Sequence, residues 1–437
     1  MRYHLTTLGC PKNVTDSERL TRTLAQVGHA RADEAESADL LIVNSCGFID
    51  AAKAESEETA RLLGSTKRPD QRLIVIGCWS QIESAQAGAV PGVDRTFGIE
   101  AYEEIAGWLG PSESLDIPDT GATSRASAYL KISDGCARPC TFCNIPGIKG
   151  RDFRSTPMDA LVSEARRLAD DGVKELILVA QDSTAYGDDL GTADALPRLL
   201  ERLADEVPQV PWIRLMYAFP GFVTEELVET MAAIPQVCHY LDIPLQHGSP
   251  GVLKRMKRPH NMRMVHETIA RLRDAMPDIA IRTTFLVGFP GETKAEFEEL
   301  LDFVREARFD RAGAFAFSAQ RGTPAATMPG QVADKVKQRR QRRLMSVQET
   351  IAGRINEAYV GREFPILVES VEGQMTEDGA PIFVGRSYRD APEVDGLVFA
   401  YGVARAGSMP TVRITGSMGH DLLAEPIESE VIPLITR

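Results

Sequence analysis

Between residues 128 and 318 six short apolar runs alternate with helix-compatible segments: AYLKIS (128–133), ELILVAQD (175–182), WIRLMYAF (212–219), YLDIPLQ (240–246), AIRTTFLVG (280–288) and GAFAFS (313–318). No other feature narrows the fold as much. Strands alternating with helices fit a barrel-like α/β arrangement, whose parallel neighbours need a crossover longer than a hairpin turn. Start signals fall in the gaps: Thr156 before Pro157, Thr224, and Thr293 with Glu296 three positions on, which spell a capping box. Six strands with five intervening helices predict a partial, TIM-like (β/α)6 barrel whose site loops lie at the carboxyl ends of the strands. Polar or glycine-rich signals stand there: Asp134-Gly135-Cys136, Gln181-Asp182, Pro220-Gly221, Gln246-His247-Gly248 and the turn from Gly288 to Glu292.

The first hundred residues carry a smaller version of this pattern. YHLTTL (3–8), ADLLIVNS (38–45) and RLIVIG (72–77) read as buried strands, with helical segments such as 16–28 and 103–110 between or after them. Each strand ends in a cysteine: Cys10, Cys46 and Cys78. Ligands bind at the carboxyl ends of strands in open parallel sheets, so the three thiols could converge on one point. A single such cysteine reads as core; the same placement three times reads as a site.

The sequence thus predicts an α/β multidomain chain. An open α/β domain spans 1–110, a Pro/Gly/Ser/Thr-rich linker 111–125, the barrel 126–361, and a small antiparallel β-barrel of five strands 362–437. The charged segment 334–361 reads as a long solvated helix. At 437 residues and 43% hydrophobic content, real cores are available. No apolar run reaches the ~18 residues of a membrane span, and the N-terminus lacks a leader pattern, so a cytoplasmic chain is expected. Seven cysteines in such a chain favour reduced thiols or metal ligands over disulfides.

Cys136, Cys140 and Cys143 fall within eight positions as CxxxCxxC, and no histidine lies between His29 and His239. Structural zinc takes four protein ligands. A four-iron cluster is normally held by four thiolates, and holding it by three leaves one iron vacant. S-adenosylmethionine is the ligand that radical cofactor chemistry suggests for that corner. A non-catalytic protein whose six cysteines hold zinc, or one that binds RNA, is the competing reading from another class.

The triplet, with Phe142 before its last cysteine and on the loop after the first barrel strand, resembles the radical S-adenosylmethionine superfamily. With the upstream cysteines and the small barrel downstream, the whole chain is similar to the methylthiotransferases, whose last domain is of the TRAM type. TLGCPKNVTDSE (7–18), VNSCGFID (43–50), VAQDSTAYG (179–187), YLDIPLQHGSPGVLKRMKRP (240–259), RTTFLVGFPGET (282–293) and VGRSYRDAPEVDG (384–396) resemble the RimO type, which modifies a ribosomal protein. The branch that modifies adenosine in tRNA tends to carry FGCQMN at the first cysteine and tyrosine before the third cysteine of the triplet; here Pro11-Lys12-Asn13 and Phe142 stand instead. Asp134 and Lys149 depart mildly from the usual glutamate and arginine.

The resemblance implies two 4Fe-4S clusters, one on Cys136, Cys140 and Cys143 and an auxiliary one on Cys10, Cys46 and Cys78. It implies S-adenosylmethionine near Phe142, with Gln181, Asp182, Gln246, Ser249, Gly288 and Glu292 as weaker pocket candidates. The implied reaction joins sulfur and then a methyl group to the β-carbon of an aspartate in small-subunit ribosomal protein twelve. It uses two S-adenosylmethionine molecules and a low-potential donor such as flavodoxin, and no residue beyond the cluster ligands is assigned to catalysis. Cys238 and His247 read as structural. Eleven acidic residues against five arginines and no lysine from Pro365 to Arg437 suit a basic protein partner better than an RNA backbone, which needs clustered cations. Nucleic acid contact is expected to be incidental, and tRNA adenosine remains the alternative substrate.

Overall fold

The computed structural model describes residues 1–111, 126–370 and 381–427. The three upstream runs become the parallel strands Arg2–Thr7, Leu40–Ser45 and Arg72–Gly77, with Leu40–Ser45 in the middle and two-residue strands, Ala30–Arg31 and Arg95–Thr96, at the edges. Leu40–Ser45 is buried at all six positions, as befits a strand covered on both faces. Side chains alternate between the faces. Leu5, Leu40, Ile42, Ile74 and Ile76 pack with Leu20 and Leu24 of the helix Pro11–Gln26 and with Ile105 of the helix Tyr102–Leu109. Leu41, Val43, Leu73 and Val75 pack with Ala60 of the helix Asp50–Thr66.

All six barrel strands form: Ser127–Lys131, Glu175–Val179, Trp212–Leu215, Val237–Asp242, Ala280–Val287 and Arg311–Ala316. They lie in chain order in one sheet, every neighbour parallel. The helices between them cover the outer face through a continuous apolar cluster that includes Leu178, Leu199, Leu215, Leu241, Leu272, Ile281 and Leu300. Thr224 accepts from Leu227 N–H at 3.1 Å, and Thr293 and Glu296 complete the capping box. Thr156 differs from expectation. Its hydroxyl donates to the Lys131 carbonyl (3.3 Å), and the helix begins at Met158 with Pro157 in the cap position.

The inner face is apolar too. Ile177, Val179, Trp212, Met216, Cys238, Tyr240 and Ala280 pack against Leu367 and Ala391 from the C-terminal part of the chain. Around them Glu175 pairs with Arg214 and Arg386 (2.6 Å each), Arg282 with Asp242 (2.9 Å) and Asp395 (3.2 Å), and Arg311 with Asp390 (2.6 Å).

The C-terminal sheet has six described strands where five were expected. FPILVESVEG is cut at Ile366 into Glu363–Pro365 and Leu367–Ser370, and Asp421–Pro426, which the sequence reading passed over, is a strand; VIPLI lies outside the described residues, as does most of the linker. The order is Glu363–Pro365, Thr411–Met418, Asp421–Pro426, Val398–Tyr401, Ile382–Arg386, Leu367–Ser370. Its two outermost strands are successive pieces of chain, so the sheet curls round on itself. One neighbouring pair, Val398–Tyr401 with Asp421–Pro426, is parallel rather than antiparallel.

The segment expected to be a solvated helix is Asp334–Glu357, and one face of it is buried by Lys337, Arg340, Leu344, Gln348, Ala352 and Asn356. Polar side chains hid that face: Arg340 pairs with Glu292 at 3.0 Å, Gln348 donates to Phe309 O, and Asn356 donates to Gly419 O. Among the described residues no helix is long and apolar enough to cross a membrane.

Candidate metal centres at the strand ends

Because Arg2–Thr7, Leu40–Ser45 and Arg72–Gly77 run parallel, their carboxyl ends share one edge, and Cys10, Cys46 and Cys78 follow them there. Cys10 stands at the N-cap of Pro11–Gln26 and is exposed; Cys46 and Cys78 are buried. Asn13 ties the three ends together. Its Nδ2 donates to Leu8 O (2.8 Å) and Ser45 O (3.2 Å), and its Oδ1 faces Cys78 Sγ at 3.7 Å. Gly9 has φ +89°, and a methyl group there would stand 2.7 Å from Cys46 Cβ and 2.9 Å from its Sγ. Glycine is what lets the Cys10 turn approach Cys46 so closely.

In the barrel, Ser133–Asp134 pairs with Arg154–Ser155 and frames the loop that carries the triplet. Gly135 has φ +81°, and a side chain there would collide with Asp152 O. Cys136 N–H donates to Gly150 O and Thr141 N–H to Met256 O, while Thr141 O accepts from Ala325 N–H, so the loop is held on three sides. Cys140 and Cys143 line a cavity of about 350 Å³ with Arg138, Asn144, Arg151 and Lys257.

Burial pushes the Cys78 and Cys143 thiols up to about 12 and raises those of Cys46 and Cys136. As free thiols they stay protonated at neutral pH; a metal would have to hold them as thiolates. Among the described residues no three His, Cys, Asp or Glu side chains are placed to hold a single metal ion. A four-iron cluster differs from such an ion in seating each thiolate on its own iron. The donors suit it: three sulfurs per site, no fourth His, Cys, Asp or Glu grouped with them among the described residues, and cations beside them. Arg258 Nη1 lies 3.7 Å from Cys140 Sγ, its guanidinium 4.1 Å over the Phe219 ring, and Arg138 lies 3.8 Å over Phe222 while bridging Asp182 at 2.6 Å.

The two cysteine sites flank a shared ion network. Asp16, from the helix that Cys10 caps, accepts from Lys131 (2.5 Å), Lys149 (2.9 Å) and Tyr102 OH (3.0 Å), and Asp134, two residues before Cys136, reaches the same two lysines at 3.1 and 3.5 Å. Burial alone would raise both acids, yet Lys131 and Lys149 overcome it and hold them below the usual carboxylate range.

The weaker pocket candidates divide. Gln181, beyond the strand Glu175–Val179, has a buried Oε1 without a hydrogen-bond partner, and Asp182 joins Arg138 and caps Thr184. Gln246 has φ +75° at the end of the next-but-one strand and bridges to Phe285. Phe142 packs with Val252, Met256, Phe289 and Phe317. Ser249, Gly288 and Glu292 serve the backbone in this structure: Ser249 N–H donates to His247 Nδ1, and the Glu292 carboxylate accepts from Gly288 and Phe289 N–H. Burial lifts Glu292 to about 6, against the pull of Arg340, and lowers fully buried His247 to about 3. Sequence reasoning missed Asn13, Asp16, Arg138 and Arg258. Asn13 and Arg138 were legible in principle, being three and two residues from a site cysteine, whereas Asp16 and Arg258 reach their sites only through folding.

Family models match along the chain: an uncharacterized protein family, UPF0004, over residues 2–98, the radical SAM superfamily over 130–304, and the TRAM domain over 360–427. A protein of Chloroflexus aurantiacus named ribosomal protein uS12 methylthiotransferase RimO is 46% identical, over 98% of this chain and 100% of its own. Its namesake in Roseiflexus sp. is 43% identical over 98% of both chains. The chain belongs to the RimO family. It is accordingly a radical S-adenosylmethionine enzyme of the transferase class. Among solved structures, a radical S-adenosylmethionine methyltransferase, TsrM, from Kitasatospora setae superposes with TM-score 0.57 at 14% identity, covering 74% of this chain and 75% of that one. That likeness is one of fold. The RimO relatives, in contrast, match through the upstream strands, the barrel and the terminal sheet together.

Proposed function

We propose that this protein adds a methylthio group to the β-carbon of an aspartate in ribosomal protein uS12. Cys136, Cys140 and Cys143 would hold one four-iron cluster, and Cys10, Cys46 and Cys78 a second. The observation that carries the reading is the pairing of two three-cysteine sites across the Asp16–Lys149 bridge, in a chain that matches RimO relatives end to end. When bound, the barrel cluster would supply the one-electron chemistry that makes a hydrogen-removing radical from S-adenosylmethionine, and the upstream cluster would supply sulfur. Two S-adenosylmethionine molecules would serve each turnover, one for the radical and one for the methyl group, and a low-potential flavodoxin-like donor would deliver the electron.

The chain's own groups prepare both sites. Asn13 fixes the spacing of the upstream thiols, Arg258 and Arg138 lay positive charge beside the barrel loop, and the Asp16 network keeps the two loops in register. Gln181, Asp182, Phe142 and Gln246 would receive the cofactor. A basic protein partner is further supported by the C-terminal sheet, where Arg386 and Arg389 are buried against Glu175 and Asp310 and so are withheld from any polyanion.

Mass spectrometry of uS12 and of tRNA from a strain lacking this protein tests the substrate. The expected result is loss of the methylthio mass from uS12 with tRNA unchanged. Loss of a modified adenosine with unaltered uS12 would contradict it.

A further inference from the structure

Three lysines are buried among the described residues. Lys149 is bridged to Asp16 and Asp134 and Lys337 to Asp334, whereas Lys12, 9% exposed, has no carboxylate of the described residues within ion-pair reach. Its ammonium instead lies 3.0 Å over the ring of Tyr217. A ring face attracts a cation but carries no net charge, so Lys12 is an amine taken out of water without an ion-paired counter-ion, and burial pushes it towards its neutral form until a carboxylate is brought to it.

The surroundings are built to keep it so. Lys12 lies in the first turn of Pro11–Gln26, two residues after Cys10, and its ring partner Tyr217 follows the barrel strand Trp212–Leu215, so it stands between the upstream strand ends and the barrel; the acids acting on it are Asp242 and Asp134. Both acids are already engaged, Asp242 by Arg282 at 2.9 Å and Asp134 by Lys131 and Lys149. Tyr217 holds φ +63°, a left-handed backbone that a tyrosine keeps only when its neighbours impose it. They do so here: Tyr217 N–H donates to Asp242 Oδ2 (3.3 Å), and Tyr217 O accepts from Ser183 N–H (3.0 Å).

We propose that Lys12 is the seat of the target side chain's carboxylate, holding the adjacent carbon between the upstream cysteines and the barrel cysteines. The inference deepens the proposed function and rests on it. In an aspartate the β-carbon is bonded directly to the carboxyl carbon, so a cation that grips the carboxylate also fixes the reacting carbon. Lys12 follows Cys10 by two residues, which sets that carbon beside the upstream site. A neutral side chain or base offers no neutralisation and is disfavoured, so the same lysine selects the substrate.

The test compares equilibrium binding of uS12 and of its target Asp→Asn variant to the reconstituted holoenzyme, by fluorescence anisotropy, with iron content and turnover measured on the same preparations. Wild type is expected to prefer the aspartate form by at least about tenfold. Lys12→Met keeps the length of the stem and is the residue that FGCQMN carries at this place. It should bring the preference to within about twofold at unchanged iron content, and Lys12→Arg should retain most of it. A Lys12→Met protein that still prefers aspartate at full iron content overturns the proposal and leaves the proposed function standing. So does loss of iron from Lys12→Met and Lys12→Arg alike, which would make the lysine a partner of the cluster. If wild type modifies neither form of uS12, the proposed function fails and the seat with it.

Discussion

Replacing Cys136, Cys140 and Cys143 together by alanine lowers the iron content from about eight atoms per chain to about four and takes uS12 modification below detection. The reason is positional. The barrel loop is held by backbone bonds from Cys136 to Gly150 and from Thr141 to Met256 and Ala325, none of which needs a thiol, so the variant keeps its fold while losing the donors. Replacing Cys10, Cys46 and Cys78 instead is expected to give the same fall in iron with a different consequence: reductive cleavage of S-adenosylmethionine persists, and sulfur transfer stops. Iron and sulfide measured on anaerobic preparations distinguish the two variants. Zinc without sulfide in the wild-type protein would end the cluster reading for both sites.

The second large effect lies away from the cysteines. Glu175 is fully buried between Arg214 and Arg386, themselves 0% and 1% exposed in their side chains. Glu175→Ala leaves Arg214 buried without a carboxylate and Arg386 with Glu369 alone, which costs about 3–5 kcal/mol, read as a lower midpoint in chemical denaturation and faster proteolysis of the C-terminal sheet that Arg386 anchors. The same group predicts a pH dependence. Burial raises the Glu175 pKa, but Arg214 and Arg386 bring it down to about 2 from 4.5. Its contribution is therefore complete above the ordinary value of 4.5 and is lost as pH falls from there towards about 2. Wild type should lose stability over that window more steeply than Glu175→Ala, and parallel pH profiles would show that the ion cluster does not hold the sheet in place.

The parts of this molecule legible in the sequence are those governed by local rules. Six parallel barrel strands follow from apolar runs spaced by helices, and the Thr224 and Thr293 caps from residue type alone. The upstream cysteines were legible because one placement recurs three times, each at a strand end. Thr156 misled because the Lys131 carbonyl competes for its hydroxyl. The buried face of Asp334–Glu357 stayed hidden because arginine, glutamine and asparagine fill it, and their burial is compensated by partners, Glu292, Phe309 and Gly419, that are distant in sequence. For the same reason Lys12, two residues from a site cysteine, showed nothing in the sequence of the ring it lies against: Tyr217 is brought there by the barrel.

The most direct measurement is electron paramagnetic resonance of the reduced protein lacking Cys10, Cys46 and Cys78, recorded with and without S-adenosylmethionine. Three thiolates on a four-iron cluster leave one iron to bind the cofactor, so the spectrum should shift when the cofactor is added. An identical spectrum in both samples would mean that no iron is free to receive it, and would contradict the account.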